Sequence, residues 1–446
     1  MPLEELAFLQ QLTKQLKPEQ PLEAHSKLYV PLYDAYSDDE DGYIEPTVSM
    51  LERVKINELA GESIQYFSGF RGSGKSTLLK QLEGKLDSAG FITFYADANQ
   101  FISKNAPVNI TDLLYTLAVA FGTSAGIKEN KLEKLWLDLW DLAKTEVSVK
   151  ELGLSTDFAS VNLELKGNET FRSRFRAAFE THVEQLNAEI RRYFEQTVKR
   201  IRQERGNKQI VFIFDNLEKI EGADENLQLK VQKSIEFIFQ NHRAKLALPN
   251  VHMIYTIPPW LKFLKPLEGD TTMLSGVRLW RNDPNRSEKK EGIDRLMLLL
   301  KKRFEAVETV AWQRFFGANP ESAAEILIRA SGGDIRDLFR MVYEASLRSK
   351  RVFPIKETIL ESATRQVRDS YLPLSESNAL VIEQIAQNRR VNPESDEIDR
   401  IKLLIDSHMI LFFKNGDEWY DANQMILPEA IRITEIIRKR NETPSN

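Results

Sequence analysis

The sequence predicts an α/β fold built around a parallel sheet. Three continuous apolar runs, residues 64–67, 209–214 and 251–256, have the composition of strands that are buried on both faces. Helical patterns separate these runs, and strands that alternate with helices form parallel sheets. Beyond about residue 286 only helical patterns follow for some 70 residues, so we expect a separate helical part of the chain there.

A glycine-rich loop follows the first of these strands. Residues 69–76, GFRGSGKS, fit the pattern G-x-x-x-x-G-K-[ST], and a helix with leucines on one face begins after them. In such a loop the backbone N–H groups surround phosphate oxygens, and the helix N-terminus adds its positive end. Lys75 is expected to reach the β- and γ-phosphates of a nucleoside triphosphate, and the Ser76 hydroxyl to ligate Mg²⁺. The predicted nucleotide-binding residues are Gly69, Phe70, Arg71, Gly72, Ser73, Gly74, Lys75, Ser76 and Thr77.

An acidic residue ends the apolar run at 209–214. Asp215 stands at the carboxyl end of a buried strand, where the second Mg²⁺ ligand is needed, usually through a water. Hydrolysis also needs a group that orients or deprotonates water, and Asn216 and Glu218 are the candidates, with Glu218 preferred. Thr256 ends the next strand before two prolines, and it either positions the attacking water or serves as a turn residue.

Two basic features are candidates for phosphate contacts. Residues 331–338, SGGDIRDL, open a helix with Asp334 as the predicted N-cap and Arg336 in the first turn. A guanidinium pairs well with two phosphate oxygens, so Arg336 is either such a contact or a solvated side chain. A preceding basic cluster either supplies an arginine finger to a neighbouring subunit or forms a solvated surface; it comprises Arg278, Arg281, Arg286, Lys289 and Lys290.

Composition excludes several kinds of site. The chain of 446 residues has no cysteine, so disulfides, thiolate catalysis and cysteine metal sites are impossible. The five histidines are scattered and never form an i, i+4 pair, which argues against a histidine metal site. A net charge of -5 argues against a protein that coats nucleic acid. No segment approaches the ~20 apolar residues that span a bilayer, and we expect a cytoplasmic protein.

Four regions are predicted along the chain. They are an N-terminal helix with an acidic loop (1–50), an α/β core (51–285) with a helical insertion (about 100–208), a helical lid (286–357) and a C-terminal module (358–446). In the last module, helices precede a hairpin whose turn is Asn415-Gly416, a strong turn dipeptide. This order of elements suggests a winged helix.

Within the core, further elements are predicted from periodicity. We expect strands at 91–96 and 277–280 and mostly helix at 111–152. The alternation of Val161, Leu163 and Leu165 suggests a small strand pair or an ordered loop. Apolar residues at steps near 3.6 predict one long helix over 169–205.

The segments GFRGSGKST, IVFIFDNLEKI, IYTIPP and SGGDIRDLFRMV resemble, in this order, four motifs of the AAA+ ATPases and their STAND relatives. These motifs are the phosphate loop, the metal-binding acid, the first sensor and the second sensor. The last segment is similar to the G-D-x-R helix of origin-initiator-type ATPases. The resemblance extends over 51–440. It implies a five-stranded sheet in which one strand separates the metal-acid strand from the phosphate-loop strand.

The same resemblance implies a nucleotide held between core and lid, and homo-oligomers. It also implies ATP as the nucleotide, and no guanine-reading N-K-x-D tetrapeptide is present. Asn216 departs from the pattern, because many AAA+ members carry the catalytic Glu at that position. The long insertion resembles bacterial ATPases that act as regulators or sensors, including some in antiphage defence.

Two functions stay open at this point. The first is an ATP-driven regulatory switch that oligomerises and controls a protein partner. The second is a DNA-binding initiator or loader, which is disfavoured because acids are at least as frequent as bases over 358–440 and the wing carries Asp417 and Glu418. A small-molecule kinase fits poorly, since that class is usually smaller and lacks an appended winged module.

Overall fold

The computed structural model describes residues 4–17, 20–32, 44–127, 158–263, 267, 269–392, 396–415 and 417–442. The chain forms two compact units. The sheet unit comprises Pro46–Ser68 and Leu78–Met273, and the loop unit comprises Met1–Glu45, Gly69–Thr77 and Leu274–Asn446. The predicted acidic loop at 38–42 and the predicted helix beyond residue 127 lie outside the described residues.

Up to Met273, nine helices and five strands are found among the described residues. The helices are α1 (Glu5–Gln15), α2 (Pro46–Ile56), α3 (Lys75–Ser88), α4 (Ile110–Ser124), α5 (Phe158–Gly167), α6 (Glu169–Phe179), α7 (Val183–Arg205), α8 (Glu225–Asn241) and α9 (Arg243–Leu246). The strands are β1 (Ser63–Ser68), β2 (Ile92–Asp97), β3 (Ile210–Asp215), β4 (Val251–Ile257) and β5 (Asp270–Met273).

The five strands form one parallel sheet in the order β2-β3-β4-β1-β5. Every residue of β3 and β4 is buried, as expected for central strands covered on both faces. β4 separates β3 from β1, which confirms the single inserted strand that the resemblance implied. Because all strands are parallel, their carboxyl ends lie at one edge of the sheet, where Asp97 of β2 pairs in register with Asp215 of β3.

The predicted fifth strand at 277–280 is wrong. The fifth strand is β5, which pairs only with β1 and is partly exposed. As an edge strand it has no continuous apolar run, so a search for apolar runs misses it. Val277 and Leu279 are buried but form no strand, and Trp280 makes only an isolated bridge with Glu288.

Two predictions in the insertion are also corrected. The suggested strand pair or ordered loop that reached Leu165 is the helix α5, with Val161 and Leu165 buried and Leu163 exposed. Residues four apart share a helix face, whereas the one between them does not. The single helix over 169–205 is two helices, α6 and α7, separated by a 3₁₀ turn at Glu180–His182. Thr and His are weaker helix formers, and both lie at this break.

The loop unit is mainly helical after Leu274. Its helices there are α10 (Lys290–Glu305), α11 (Ala311–Phe316), α12 (Pro320–Ala330), α13 (Ile335–Arg348), α14 (Glu357–Asp369), α15 (Glu376–Asn388), α16 (Ile398–Asp406) and α17 (Leu427–Glu442). The strands β6 (Ile410–Asn415) and β7 (Asp417–Ala422) form the predicted antiparallel hairpin. The winged-helix assignment stays a prediction. Among the described helices, none is long and apolar enough to cross a membrane.

Candidate functional site

The phosphate loop directly follows β1 and leads into α3. Gly72 and Gly74 have left-handed backbone conformations, with φ of +77° and +93°. The backbone N–H of Ser73 and its hydroxyl both donate to the carbonyl oxygen of Phe70, at 3.2 and 2.7 Å. These bonds close a tight turn of the kind in which consecutive N–H groups can face an anion.

The lysine and hydroxyl residues of the motif begin the helix. Lys75 is the first residue of α3, and its Nζ donates to the carbonyl oxygens of Gly69 and Phe70, at 2.6 and 2.8 Å. Its side chain is therefore held within the loop and is buried. The hydroxyl of Thr77 accepts a hydrogen bond from the backbone N–H of Leu22 at 3.1 Å, so an N-terminal segment contacts the first turn of α3.

Arg336 lies against the phosphate loop. A Cβ added at Gly72 would be 2.7 Å from the Cβ of Arg336 and 3.2 Å from its Cδ. Only glycine fits this approach, and the left-handed φ of Gly72 excludes a side chain for a second reason. Arg336 itself is exposed in the first turn of α13. The structure thus brings the predicted sensor arginine together with the loop.

The start of α13 is fixed by the predicted N-cap. Asp334 Oδ1 accepts a hydrogen bond from the backbone N–H of Asp337 at 3.0 Å. The preceding Gly333 has a φ of +92°, and a Cβ there would lie 1.9 Å from the carbonyl oxygen of Val277. The Gly-Gly-Asp turn therefore sets where α13 begins, and with it the position of Arg336.

His408, just before the C-terminal hairpin, joins this network. Its Nδ1 is 2.9 Å from Asp334 Oδ2, and its ring centroid is 5.9 Å from that of Phe70 in the phosphate loop. Burial opposes ionisation of Asp334, but the hydrogen bond and charge of His408 outweigh it, so its pKa is lowered. The phosphate loop, the turn at Asp334 and His408, two residues before β6, are thus linked side chain to side chain.

A second carboxylate follows one turn along α13. Asp337 is buried and accepts hydrogen bonds from Tyr371 Oη at 2.5 Å and from Arg340 at 2.9 Å. Burial, together with the nearby charge of Asp334, raises the pKa of Asp337. The two aspartates of this turn therefore have pKa values shifted in opposite directions.

In the sheet unit, the predicted metal carboxylate is fully buried at the end of β3. Asp215 Oδ2 accepts a hydrogen bond from Tyr95 Oη in β2 at 2.5 Å, and Oδ1 accepts from the backbone N–H of Asn216 at 2.7 Å. A carboxylate oxygen is the kind of ligand that Mg²⁺ takes, so Asp215 fits that ion. Among the described residues, no group of three or more histidines and acids could hold a metal by itself.

The two candidates for hydrolysis lie in the turn after Asp215. Asn216 has a φ of 71°, a left-handed conformation that asparagine tolerates better than glutamate does. Glu218 is buried in the 3₁₀ turn Leu217–Lys219. The Thr256 hydroxyl accepts a hydrogen bond from the backbone N–H of Leu217 at 3.3 Å. Thr256 therefore holds the turn that carries Glu218.

The basic cluster between 278 and 290 is not a uniform solvated surface. Arg278 and Lys289 are 0% and 1% exposed, which excludes both as arginine-finger or surface cations. Arg286 donates to Asp421 of the hairpin at 3.0 Å. Sequence reading alone could not separate buried from exposed members of such a cluster.

Three basic residues of the C-terminal module are also paired. Arg389 binds the buried Asp421, Arg438 donates to Glu383 at 2.6 Å, and Arg440 donates to Glu376 at 2.8 Å. The last pair is exposed and contributes little to stability, but each pair reduces the positive charge offered to a phosphate backbone.

Two residues of this geometry were not predicted from the sequence, namely Tyr95 and His408. Tyr95 stands opposite Ile213 in the β2–β3 register, and Asp215 lies two residues further on the same face. A predicted strand order would have been enough to place Tyr95 beside Asp215. No local signal marks His408, because its contacts come from distant parts of the chain.

Comparisons with known proteins agree with the core of this description. The model of the KAP family P-loop domain matches residues 66–246, less than half of the chain. No curated protein matches the sequence. The solved structures that are similar include the Aeropyrum pernix ORC2 protein in ADPNP–ADP complexes, with 13% identity over 90% of this chain and 97% of that chain and a TM-score of 0.36.

Two other solved structures are similarly distant. The Walker-type ATPase of Pyrococcus abyssi is 13% identical over 89% of this chain and 98% of that chain, with a TM-score of 0.39. Cdc6p from Pyrobaculum aerophilum is 10% identical over 91% of this chain and 98% of that chain, with a TM-score of 0.35. Likenesses at this level assign neither a branch nor a function.

The family match and the sheet together establish the fold class. Residues 66–246 include the phosphate loop and the strands β2 and β3 that follow it, with Asp215 at the end of β3. With five parallel strands in the order described above, the core has the α/β fold of P-loop NTPases. This fold supports nucleotide binding at the phosphate loop.

Proposed function

We propose that the chain is an ATP-dependent regulatory switch that hydrolyses ATP slowly. In this proposal the loop amides and Lys75 bind the phosphates, while the Ser76 hydroxyl and the Asp215 carboxylate hold Mg²⁺. Bound Mg²⁺ would neutralise charge on the β- and γ-phosphates. The single observation that supports the switch is the close approach of Arg336 to Gly72, because a guanidinium of α13 beside the loop is suited to bind phosphate oxygens.

The proposed hydrolytic residue is Glu218. Its carboxylate can accept a proton from water, whereas the amide of Asn216 cannot, and Thr256 supports the turn that bears it. Asn216 serves the backbone conformation of that turn rather than the chemistry. Glu218 stands three positions after Asp215, not directly after it, and slow turnover is expected from this departure.

The switch would be read through the loop unit. A γ-phosphate that binds Arg336 would pull on the first turn of α13, which Asp334 caps and His408 holds. Phosphate contacts of this kind can supply the ~5.5 kcal/mol that reverses a two-state equilibrium. We propose that the ATP-bound form assembles into homo-oligomers and presents the C-terminal module to a protein partner. The resemblance to bacterial regulators extends the proposal to antiphage defence.

Initiator-type DNA binding has less support. Three of the arginines that would contact DNA phosphates, Arg389, Arg438 and Arg440, are engaged with acids of the same module. A DNA-binding surface needs cations that can replace counterions on phosphates. We therefore place the readout in a protein partner.

The test is the mass of the full chain in solution. Light scattering would be run without nucleotide, with ADP–Mg²⁺ and with ATPγS–Mg²⁺, with Glu218→Gln and Lys75→Ala in parallel. We expect a larger particle only with ATPγS, the same particle for Glu218→Gln with ATP, and no nucleotide response for Lys75→Ala. An unchanged mass in every state, with nucleotide bound, would contradict the oligomeric switch and leave nucleotide acting within one protomer.

A further inference from the structure

The phenol of Tyr95 contacts the carboxylate to which we assign Mg²⁺. Tyr95 Oη donates to Asp215 Oδ2 at 2.5 Å, a short bond of the kind formed with an ionised acceptor. Asp215 is fully buried and its other oxygen accepts from the backbone N–H of Asn216. The two bonds come from different directions, one from β2 and one from the turn after β3. Together they fix the plane of the carboxylate.

Tyr95 is itself held in place by a cation. Lys80 Nζ lies 3.9 Å from the centroid of the Tyr95 ring, and it also pairs with Glu83 at 2.9 Å. A cation over a phenol ring is attracted to the ring face and withdraws electron density from it. The O–H group consequently becomes a stronger donor toward Asp215. Lys80, Tyr95 and Asp215 form one line of contacts within the sheet unit.

We propose that Tyr95 is a positioning residue for the Mg²⁺ carboxylate, and that Lys80 strengthens its action. The proposal rests on the proposed nucleotide and Mg²⁺ binding of the chain. Partners that orient a ligating group typically change metal affinity by about 10–100-fold when they are removed. In this proposal Tyr95 acts through Asp215, so its effect appears in the requirement for the metal.

The direct test is Tyr95→Phe, which deletes only Oη and keeps the ring beneath Lys80. The affinity of the full chain for a fluorescent ATP analogue is measured over a Mg²⁺ titration and again in EDTA. We expect the Mg²⁺ concentration for half-maximal tight binding to rise about tenfold, with the affinity in EDTA unchanged. If Tyr95 had a purely structural role, Tyr95→Phe would lower the affinity both with Mg²⁺ and in EDTA, or it would lower only the melting temperature.

Tyr255→Phe is the matched control. Tyr95 is half-buried and Tyr255 is a fully buried tyrosine of the same sheet, whose hydroxyl donates to the backbone carbonyl oxygen of Leu246 at 2.9 Å and not to a carboxylate. Its loss should lower the melting temperature and leave the Mg²⁺ titration as in the wild type. A second variant, Lys80→Gln, keeps the phenol and removes the cation, and it should raise the Mg²⁺ requirement by a smaller factor of about two to three.

The outcomes separate the two proposals. If the wild type binds the analogue more tightly with Mg²⁺ and Tyr95→Phe has the same titration curve, the role of Tyr95 is overturned and the proposed function stands. If the wild type binds no nucleotide with or without Mg²⁺, the proposed function fails and the role of Tyr95 falls with it. If Tyr95→Phe has a much lower melting temperature than Tyr255→Phe, the Mg²⁺ titration of Lys80→Gln is the deciding measurement. A titration curve of Lys80→Gln equal to that of the wild type then overturns the proposal.

Discussion

Asp215 and Asp334 both have buried side chains, one in each compact unit, and their surroundings differ. Asp215 is placed by strand register, since it ends β3 beside β2. Its carboxylate also accepts a hydrogen bond from the backbone N–H of the next residue, Asn216. Asp334 lies outside any strand and is held by His408, 74 positions away, and by the glycine turn before it. The sheet unit fixes its polar groups through backbone pairing, whereas the loop unit fixes them through a chain of side-chain contacts.

This difference indicates where the loss of a single side chain should disturb its neighbours most. In a regular sheet, backbone hydrogen bonds persist when one side chain is removed. In the loop unit, Phe70, His408, Asp334 and Arg336 each support the next contact, so the loss of one member alters the others. The loop unit, which carries the phosphate loop, should therefore be more sensitive to single substitutions than the sheet unit is.

The largest expected effect is that of an alanine at Gly72. The left-handed φ of +77° costs an alanine about 1–2 kcal/mol, and overpacking against Arg336 adds about 1–3 kcal/mol. We expect a loss of ATP-analogue affinity of about 100-fold, or about 2.7 kcal/mol, by fluorescence titration.

Gly61→Ala is the matched control from the sheet unit. Gly61 has almost the same φ, +75°, but a Cβ there meets no atom within 4 Å. It should lower the melting temperature slightly, through the backbone term alone, and leave nucleotide affinity unchanged. Equal nucleotide affinities for the two variants would show that the contact with Arg336 does not constrain the loop.

The sequence predicted the parts of the molecule that follow from local pattern. The phosphate loop, the buried strands β3 and β4, the N-cap Asp334 and the hairpin all have short signals of composition or spacing. The edge strand β5 was missed because it is short and polar, and α5 was misread because helical and alternating patterns coincide over five residues. His408 and Tyr95 act through contacts with distant segments, which a single sequence does not display.

A second test uses the buried histidine of the sheet unit. His252 in β4 is fully buried, with Nδ1 2.9 Å from the Ser63 hydroxyl, and its Nε2 has no hydrogen-bond partner within the described part of the chain. Burial, aided by the charge of Arg202, lowers its pKa from 6.5 to about 4. Between these two pKa values the unfolded chain protonates His252 and the folded chain keeps it neutral. The stability of the fold is therefore complete above pH 6.5 and decreases as the pH falls toward 4.

The expected size follows from linkage. A shift of this size corresponds to about 3 kcal/mol of unfolding free energy lost between pH 7 and pH 4, measured by urea unfolding at each pH. His252→Asn retains a partner for Ser63 and should lose about 3 kcal/mol less over that range. His25→Gln, at an exposed position, should keep the wild-type slope. If the unfolding free energy of His252→Asn depended on pH as it does in the wild type, groups other than His252 would cause the acid sensitivity.

The smallest expected effect separates the contacts of His408 in the loop unit. His408→Ala removes the hydrogen bond to Asp334 and the contact with Phe70, and should cost about 2 kcal/mol of unfolding free energy at pH 7. Asparagine tolerates the left-handed φ of 60° at this position and places an amide where Nδ1 lies. His408→Asn should therefore recover most of the stability but not the ring contact with the phosphate loop.

The pH dependence of the same variants tests the pairing itself. Because the pKa of Asp334 is lowered, its ionised form contributes stability above the ordinary value of 3.8, and that contribution is lost as the pH falls through the lower folded-state pKa. The difference between wild type and His408→Ala should thus persist down to about pH 4 and shrink below it. A difference that does not shrink below pH 4 would show that ionised Asp334 contributes nothing to it. The stability lost in His408→Ala would then come from the contact with Phe70.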